Sequence, residues 1–187
     1  MKFSLVKVIG VIGFLLGLLN STMAQDGYRQ LTGNDFRGIP HSTGDNCIAL
    51  TYCSIDYHYH VTTEKNNYHL TFNVEVILDR ERSWLDRKRI VSEQMMAEVL
   101  KHEQGHYTIA YMEREEILRE ANRTHFDANY QAEANALFNR IHAKYEQLNV
   151  NYDTDTRNML DVVQQHSWDV YFQRRLAYMP PEERVGY

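Results

Sequence analysis

The chain has 187 residues, of which 24% are charged, and its formal net charge is −5 at neutral pH. An acidic chain offers no electrostatic basis for binding nucleic acid. The 13 tyrosines and only 3 prolines argue against a disordered or linker-rich chain, and a folded domain is expected.

The chain begins with the features of an export signal. Lys2 and Lys7 supply positive charge, residues 8–19 form an apolar run, and Thr22-Met23-Ala24 offers small residues for cleavage. The apolar run is too short to span a bilayer comfortably. We therefore predict a signal peptide at residues 1–24 and a single mature domain at residues 25–187, periplasmic or secreted, with no transmembrane segment after cleavage.

Two cysteines, Cys47 and Cys53, remain in the predicted mature domain. An exported compartment permits a disulfide between them. If the residues between them formed one straight strand, however, their Cα atoms would lie about 20 Å apart, which is beyond disulfide reach. A bridge therefore requires a turn between the cysteines, and two separate thiols remain the alternative.

Residues 48–61 and 70–78 alternate aromatic or aliphatic side chains with polar ones, which predicts two strands of an antiparallel sheet. Residues 65–67 mark the turn. His58 and His60 share one face of the first strand and could chelate a metal, but histidines in such positions are more often partly exposed sheet residues.

Helix-forming residues dominate the second half of the chain. Ser92 is a plausible N-cap for a helix over residues 92–121, and an apolar stripe predicts a second helix over 127–148. A polar segment at 149–155 precedes a third helix over 156–178. Because residues 122–126 lack glycine and proline, one long bent helix is an alternative for the first two. The fold class is α+β, a small antiparallel sheet followed by helices.

The first helix carries an H-E-x-x-H motif, His102-Glu103-Gln104-Gly105-His106. Residues four apart share a helix face, so both imidazoles can bind one metal ion. Glu103 is close enough to take a proton from a metal-bound water, as in zinc peptidases. We therefore predict zinc as cofactor, His102 and His106 as metal ligands and Glu103 as the catalytic base. An ordinary surface helix with a His-Glu-His face is the alternative.

Several segments resemble those of one family. They are residues 31–38, Ser83-Trp84, residues 100–110, and a Tyr-Asp-x-x-Thr segment that begins at Tyr152 and is followed by Gln165 and Trp168. Together they resemble the domain-of-unknown-function family 922, described as predicted secreted zinc-dependent proteases. The resemblance implies a zinc-peptidase-like domain that acts on a peptide or protein substrate.

One position departs from that family. Its late segment resembles Tyr-Asp-x-x-Thr-x-His, and this chain has Asn158 where the histidine belongs. If that histidine is a metal ligand, the chain has lost it, because an amide oxygen is a poor zinc donor. A catalytically silent binding module is therefore the alternative to an active hydrolase, whereas the intact Glu103 favours activity.

A catalytic zinc site needs a third protein ligand. Asp153, in the family-matched segment, ranks first. His142 and Glu146 are the other candidates, because an antiparallel helix pair that turns near residue 124 would place them level with the motif.

Overall fold

Four strands precede three helices in the computed structural model, which describes residues 27–41, 47–65 and 67–178. The predicted signal peptide lies outside these residues. After a 3-10 turn at Gly33–Asp35, the elements are β1 (Ala49–Leu50), β2 (Cys53–Glu64), β3 (Asn67–Leu78), β4 (Trp84–Leu85), α1 (Glu93–Arg123), α2 (Tyr130–Thr156) and α3 (Val162–Ala177). This order confirms the α+β class that the sequence predicts. None of the helices described is both long and apolar enough to cross a membrane.

The strands form a long hairpin and a separate short pair, rather than one small sheet. In the hairpin, β2 and β3 pair antiparallel from Cys53 opposite Leu78 to Glu64 opposite Asn67. The side chains of β2 alternate between half-buried and exposed, and His58 and His60 lie on the exposed face, as expected for sheet residues. β1 pairs only with β4 among the described strands.

Helix α1 lies at the centre of the domain and contacts the hairpin, α2 and α3. Its N-terminus is capped as predicted, because the Ser92 side chain accepts a hydrogen bond from the Met95 backbone N–H at 3.1 Å. Side chains from the hairpin, α2 and α3 meet α1 in one apolar core, which includes Val74, Ile109, Met112, Ile141 and Phe172.

The helix boundaries confirm two separate helices and correct the expected start of the third. Helix α1 ends at Arg123 and α2 begins at Tyr130, so the two are not one bent helix. The polar segment 149–155, predicted to be a connection, belongs to α2, and α3 begins only at Val162. The reason is that Tyr152 and Thr156 are fully buried, and this packing outweighs the polar composition of the segment.

A glycine permits the close approach of α2 to α1. A Cβ atom built at Gly105 would lie 2.3 Å from the Tyr152 hydroxyl oxygen and 2.4 Å from its ring carbon Cζ. The Tyr152 ring is fully buried, so it cannot move aside without disturbing the core. Gly105 therefore leaves the space that the Tyr152 ring occupies.

Replacing Gly105 with alanine should destabilise the protein although alanine favours a helix. Overpacking costs about 1–3 kcal/mol, and an overlap with a buried ring belongs at the upper end of that range, whereas the gain in helix propensity is about 1 kcal/mol. We therefore expect a net loss of up to about 2 kcal/mol in urea unfolding. Gly33→Ala is the matched control, because its nearest neighbour is an arginine side chain at 3.5 Å, and it should change stability little. Equal stability of both variants and the native protein would contradict the packing account.

Candidate metal centre

His102 and His106 lie one helical turn apart on α1, and the Nε2 atoms of their two imidazoles point to the same place. The Nε2 atoms of His102 and His106 are 3.3 Å apart. His102 is only 4% exposed, and His106 is half-buried. The i, i+4 spacing of the motif thus becomes a pair of imidazoles with adjacent nitrogen atoms.

A carboxylate from α2 completes the group. The Oδ1 atom of Asp153 lies 3.2 Å from His102 Nε2 and 3.1 Å from His106 Nε2. Within the part of the chain that the structure describes, these three residues form a group that could hold a metal ion. The third donor is therefore Asp153, the candidate that the sequence ranked first.

An amide side chain on α3 fixes the orientation of His102. Gln165 Oε1 lies 3.2 Å from His102 Nδ1, and Gln165 Nε2 donates to Asp169 Oδ1 at 3.1 Å. Because a carboxylate only accepts, the amide nitrogen of Gln165 must face Asp169 and its oxygen must face the imidazole. His102 therefore carries its hydrogen on Nδ1, and Nε2 presents a lone pair to the candidate site.

Asn149 has the same relation to His106. Its Oδ1 atom lies 2.7 Å from His106 Nδ1, so Nδ1 is again the donor and Nε2 of the neutral ring is an acceptor. Three acceptors, two Nε2 atoms and the Oδ1 of Asp153, consequently face one another at 3.1–3.3 Å. Only a cation, either a proton or a metal ion, makes this arrangement favourable.

The pKa values of the metal-free group follow from this geometry. Burial alone would lower the pKa of His106, but the hydrogen bond to Asp153 and the charge of Glu103 outweigh burial and raise that pKa to about 9. Burial alone would raise the pKa of Asp153, whereas its hydrogen bonds to the two imidazoles hold that pKa well below its usual range. At neutral pH the metal-free group therefore holds a proton on His106 beside an ionised Asp153.

Glu103 opens onto the same cavity as the three donors. The cavity has a volume of about 300 Å³ and is also lined by residues 47–51 and 157–160. Glu103 is 3% exposed, and its Oε2 atom accepts a hydrogen bond from Thr51 Oγ1 at 2.5 Å. A buried carboxylate held by a hydroxyl group beside a metal-binding group is suited to accepting and returning a proton.

The remaining sequence candidates lie outside the three-residue group. His142 Nδ1 pairs with Glu113 Oε1 at 2.8 Å, and Glu146 Oε1 lies 3.8 Å from His142 Nε2, so neither candidate joins the group of His102, His106 and Asp153. Their side chains belong to a neighbouring ion-pair cluster between α1 and α2. Cys47 and Cys53 are both free thiols, and Asn158 lines the cavity.

Three residues that position the site were not identified as such from the sequence. Asn149 shares a face of α2 with Asp153, four residues later, but this relation is visible only once α2 is known to extend to Thr156. The only sequence signal for Gln165 was its place in the late segment that resembles the family. Thr51 follows β1 in a short connection, and no local pattern distinguishes its hydroxyl group.

A family model matches most of the chain. Residues 23–159 fit the model of a family described as "Bacterial protein of unknown function (DUF922)". The matched residues include the motif, Asp153 and Asn158, whereas Gln165 on α3 lies beyond them. No curated protein and no solved structure gives a significant match.

Binding of a divalent metal at pH 7 should release about one proton, because His106 with a pKa of about 9 is protonated in the metal-free protein and a metal ligand must be deprotonated. Metal affinity should accordingly rise about tenfold for each pH unit up to that pKa. Isothermal titration in two buffers of different protonation enthalpy measures the released proton. Identical heats in both buffers would contradict this protonation state.

Proposed function

The chain belongs to this family of bacterial proteins of unknown function, and we propose that it is an exported zinc-dependent hydrolase that cleaves peptide bonds. The main support is the convergence of three lone-pair donors, His102, His106 and Asp153, within one cavity that also holds the buried Glu103. A metal-binding group without a nearby base, or a base without a metal-binding group, would not support hydrolysis.

Zinc suits this donor set. Zn–N and Zn–O bonds of about 2.0–2.2 Å in a tetrahedral site place neighbouring donors about 3.3–3.5 Å apart. The donor–donor distances in the protein are 3.1, 3.2 and 3.3 Å, which is close to that spacing. Two imidazoles and one carboxylate are also a ligand set of catalytic zinc sites, where the fourth position stays open for water.

Glu103 is the group that moves protons in the proposed reaction. Zinc, when bound, lowers the pKa of a water ligand to about 7 and polarises a substrate carbonyl group. Glu103 accepts the proton of the attacking water on a carboxylate oxygen and later returns it to the leaving amine. Thr51 fixes the orientation of that carboxylate, while Gln165 and Asn149 hold the two imidazoles.

The edge of β1 supports a peptide as substrate. Residues 47–51 all line the cavity. Because successive side chains of an extended segment point to opposite sides, five consecutive lining residues also present their backbone to the cavity. Among the described strands β1 pairs with β4 alone, so an extended peptide could pair with its other edge.

A catalytically silent binding module is the second candidate, and Asn158 is the observation that favours it. The family pattern suggested by the sequence has a histidine at this position. The group of three donors is nevertheless complete without Asn158, so its presence does not remove the basis for hydrolysis.

Export is part of the proposal, and the N-terminal features at residues 1–24 support it. Cleavage after Ala24 would leave Gln25 as the first residue of the mature protein. N-terminal sequencing of the protein recovered from the periplasm or the medium reads this residue directly, and a chain that still begins at Met1 would exclude the cleavage.

We expect one zinc ion per native chain, and none held tightly after His102→Ala, His106→Ala or Asp153→Ala. Loss of a ligand should weaken zinc binding by more than the roughly 10–100-fold that results from changing an orienting residue. The matched controls are His142→Ala and Glu146→Ala, which remove the rejected candidates and should leave the zinc content unchanged. Zinc retention by the Asp153→Ala variant would refute Asp153 as the third ligand.

Glu103→Gln should keep the zinc but lose hydrolysis, because glutamine preserves the shape of the side chain and removes its basicity. A general base contributes about 10²–10⁴ in rate, so digestion of a peptide library by zinc-loaded protein should fall by that factor. Equal rates for variant and native protein would exclude Glu103 as the base. If both proteins bind zinc and neither cleaves any peptide, the silent binding module is the better description.

A further inference from the structure

The cavity that contains the metal-binding group has an apolar wall. Ile48 and Leu50 contribute to it from the β1 segment, Met95 from the first turn of α1, and Met159 and Leu160 from the connection between α2 and α3. We infer that this wall binds one large apolar side chain of the substrate, next to the bond that is cleaved. This assignment rests on the proposed function and specifies its substrate class.

The base of the apolar wall is part of a packed core. Ile48, Met95 and Met159 pack against the second apolar cluster of the domain, which contains Leu31, Phe36, Ala49, Leu85, Val99 and Tyr107. Side chains that are fixed on one side by a core change conformation little when a ligand binds on the other. The wall is therefore largely preformed, as is usual for sites that bind small apolar groups.

Leu160 lies at the mouth of the cavity because of an unusual backbone path. Arg157, Asn158 and Met159 have φ angles of +50°, +50° and +75°, in a region that residues other than glycine rarely adopt. The bend is held by hydrogen bonds from Asn158 N to Asp153 O at 3.0 Å and from Asp161 N to Thr156 O at 2.9 Å. Strain of this kind concentrates at ligand-binding sites.

The exposure of Leu160 indicates what the mouth of the cavity binds. Leu160 is 77% exposed, although it lies beside four less exposed apolar side chains. An apolar occupant would remove this surface from water, which is favourable in proportion to the area covered. The volume of about 300 Å³ is at the lower limit of ligand pockets, and it suits one side chain with its adjoining backbone.

The charges of the cavity disfavour an acidic side chain in this position. Arg89 and Arg157 lie on the cavity lining and could attract a carboxylate. The guanidinium group of Arg89, however, donates to the Cys47 carbonyl oxygen at 3.0 Å, and Arg157 is exposed to solvent, which screens its charge. The carboxylate of Glu103 lines the same space and repels a negative substrate group, whereas a bound zinc ion would offset the charge of Asp153.

The test measures binding rather than turnover. Hydroxamates chelate zinc, so the N-acetyl hydroxamates of leucine, asparagine and aspartate present three side chains of similar size beside the metal. Isothermal titration of the zinc-loaded protein should give a dissociation constant for the leucine compound about 10–200-fold lower than for the asparagine compound. The aspartate compound should bind no more tightly than the asparagine compound.

Leu160→Ser should reduce the preference for leucine over asparagine several-fold. Val163→Ser is the matched control, because Val163 is 73% exposed and is not among the residues that line the cavity; it should leave the preference unchanged. Both side chains are at the surface, so both variants should fold, which circular dichroism checks.

Equal affinities for leucine and asparagine, tighter binding of aspartate, or no hydroxamate binding at all would overturn the inference. A leucine preference that survives Leu160→Ser would overturn it as well. The outcome is separate from that of the proposed function. If the protein prefers the leucine hydroxamate but cleaves no peptide, the apolar subsite is supported and the peptidase activity is refuted. If it cleaves peptides but shows no side-chain preference, the peptidase activity is supported and the apolar subsite is refuted.

Discussion

The contact between Gly105 on α1 and Tyr152 on α2 is the constraint on which the arrangement of the site depends. The Tyr152 ring occupies the space beside Gly105, stacks on the His102 imidazole with 4.7 Å between ring centroids, and donates its hydroxyl hydrogen to the His102 carbonyl oxygen at 3.0 Å. Asp153 is the next residue of α2, and its carboxylate reaches both Nε2 atoms. Because Gly105 has no side chain, α2 can approach α1 closely enough for Asp153 to become the third donor of the group.

Two buried polar clusters on α1 illustrate the difference between packing and function. Glu113 and Glu116 are buried, but the first pairs with His142 and the second with Lys144 and Tyr145, so each acceptor has a donor. At His102, His106 and Asp153, the orienting bonds to the amide oxygens of Gln165 and Asn149 leave three acceptors facing one another, so that either a proton on His106 or a metal ion must join them. An arrangement that costs stability unless a cation is present is expected at a functional site rather than in a core.

Much of the fold follows from local patterns, and the site follows only in part. Alternation predicted the hairpin that forms β2 and β3, and the Ser92 cap predicted the start of α1, because both depend on neighbouring residues. The predicted end of α2 was wrong, because Tyr152 and Thr156 keep a polar segment helical through contacts with distant residues. The motif identified His102, Glu103 and His106 by spacing alone.

The third donor and the orienting residues illustrate why the rest could not be predicted. Asp153 ranked first only through its resemblance to a family pattern, and helix geometry with the wrong boundary favoured His142 and Glu146. Gln165 and Thr51 reach the site from α3 and from the segment after β1, at separations of 63 and 52 residues from their partners. Such contacts depend on tertiary packing, which a single sequence does not reveal.

The ligand set of the proposed zinc ion is the central claim, and X-ray absorption at the zinc edge of the zinc-loaded protein measures it most directly. The structure predicts nitrogen and oxygen ligands alone, at about 2.0–2.2 Å, with the outer scattering of two imidazoles. In the Asp153→Ala variant the signal of this ordered site should disappear. Sulfur at about 2.3 Å would place the metal on Cys47 or Cys53, and a native spectrum retained by Asp153→Ala would exclude that carboxylate; either result would contradict the account.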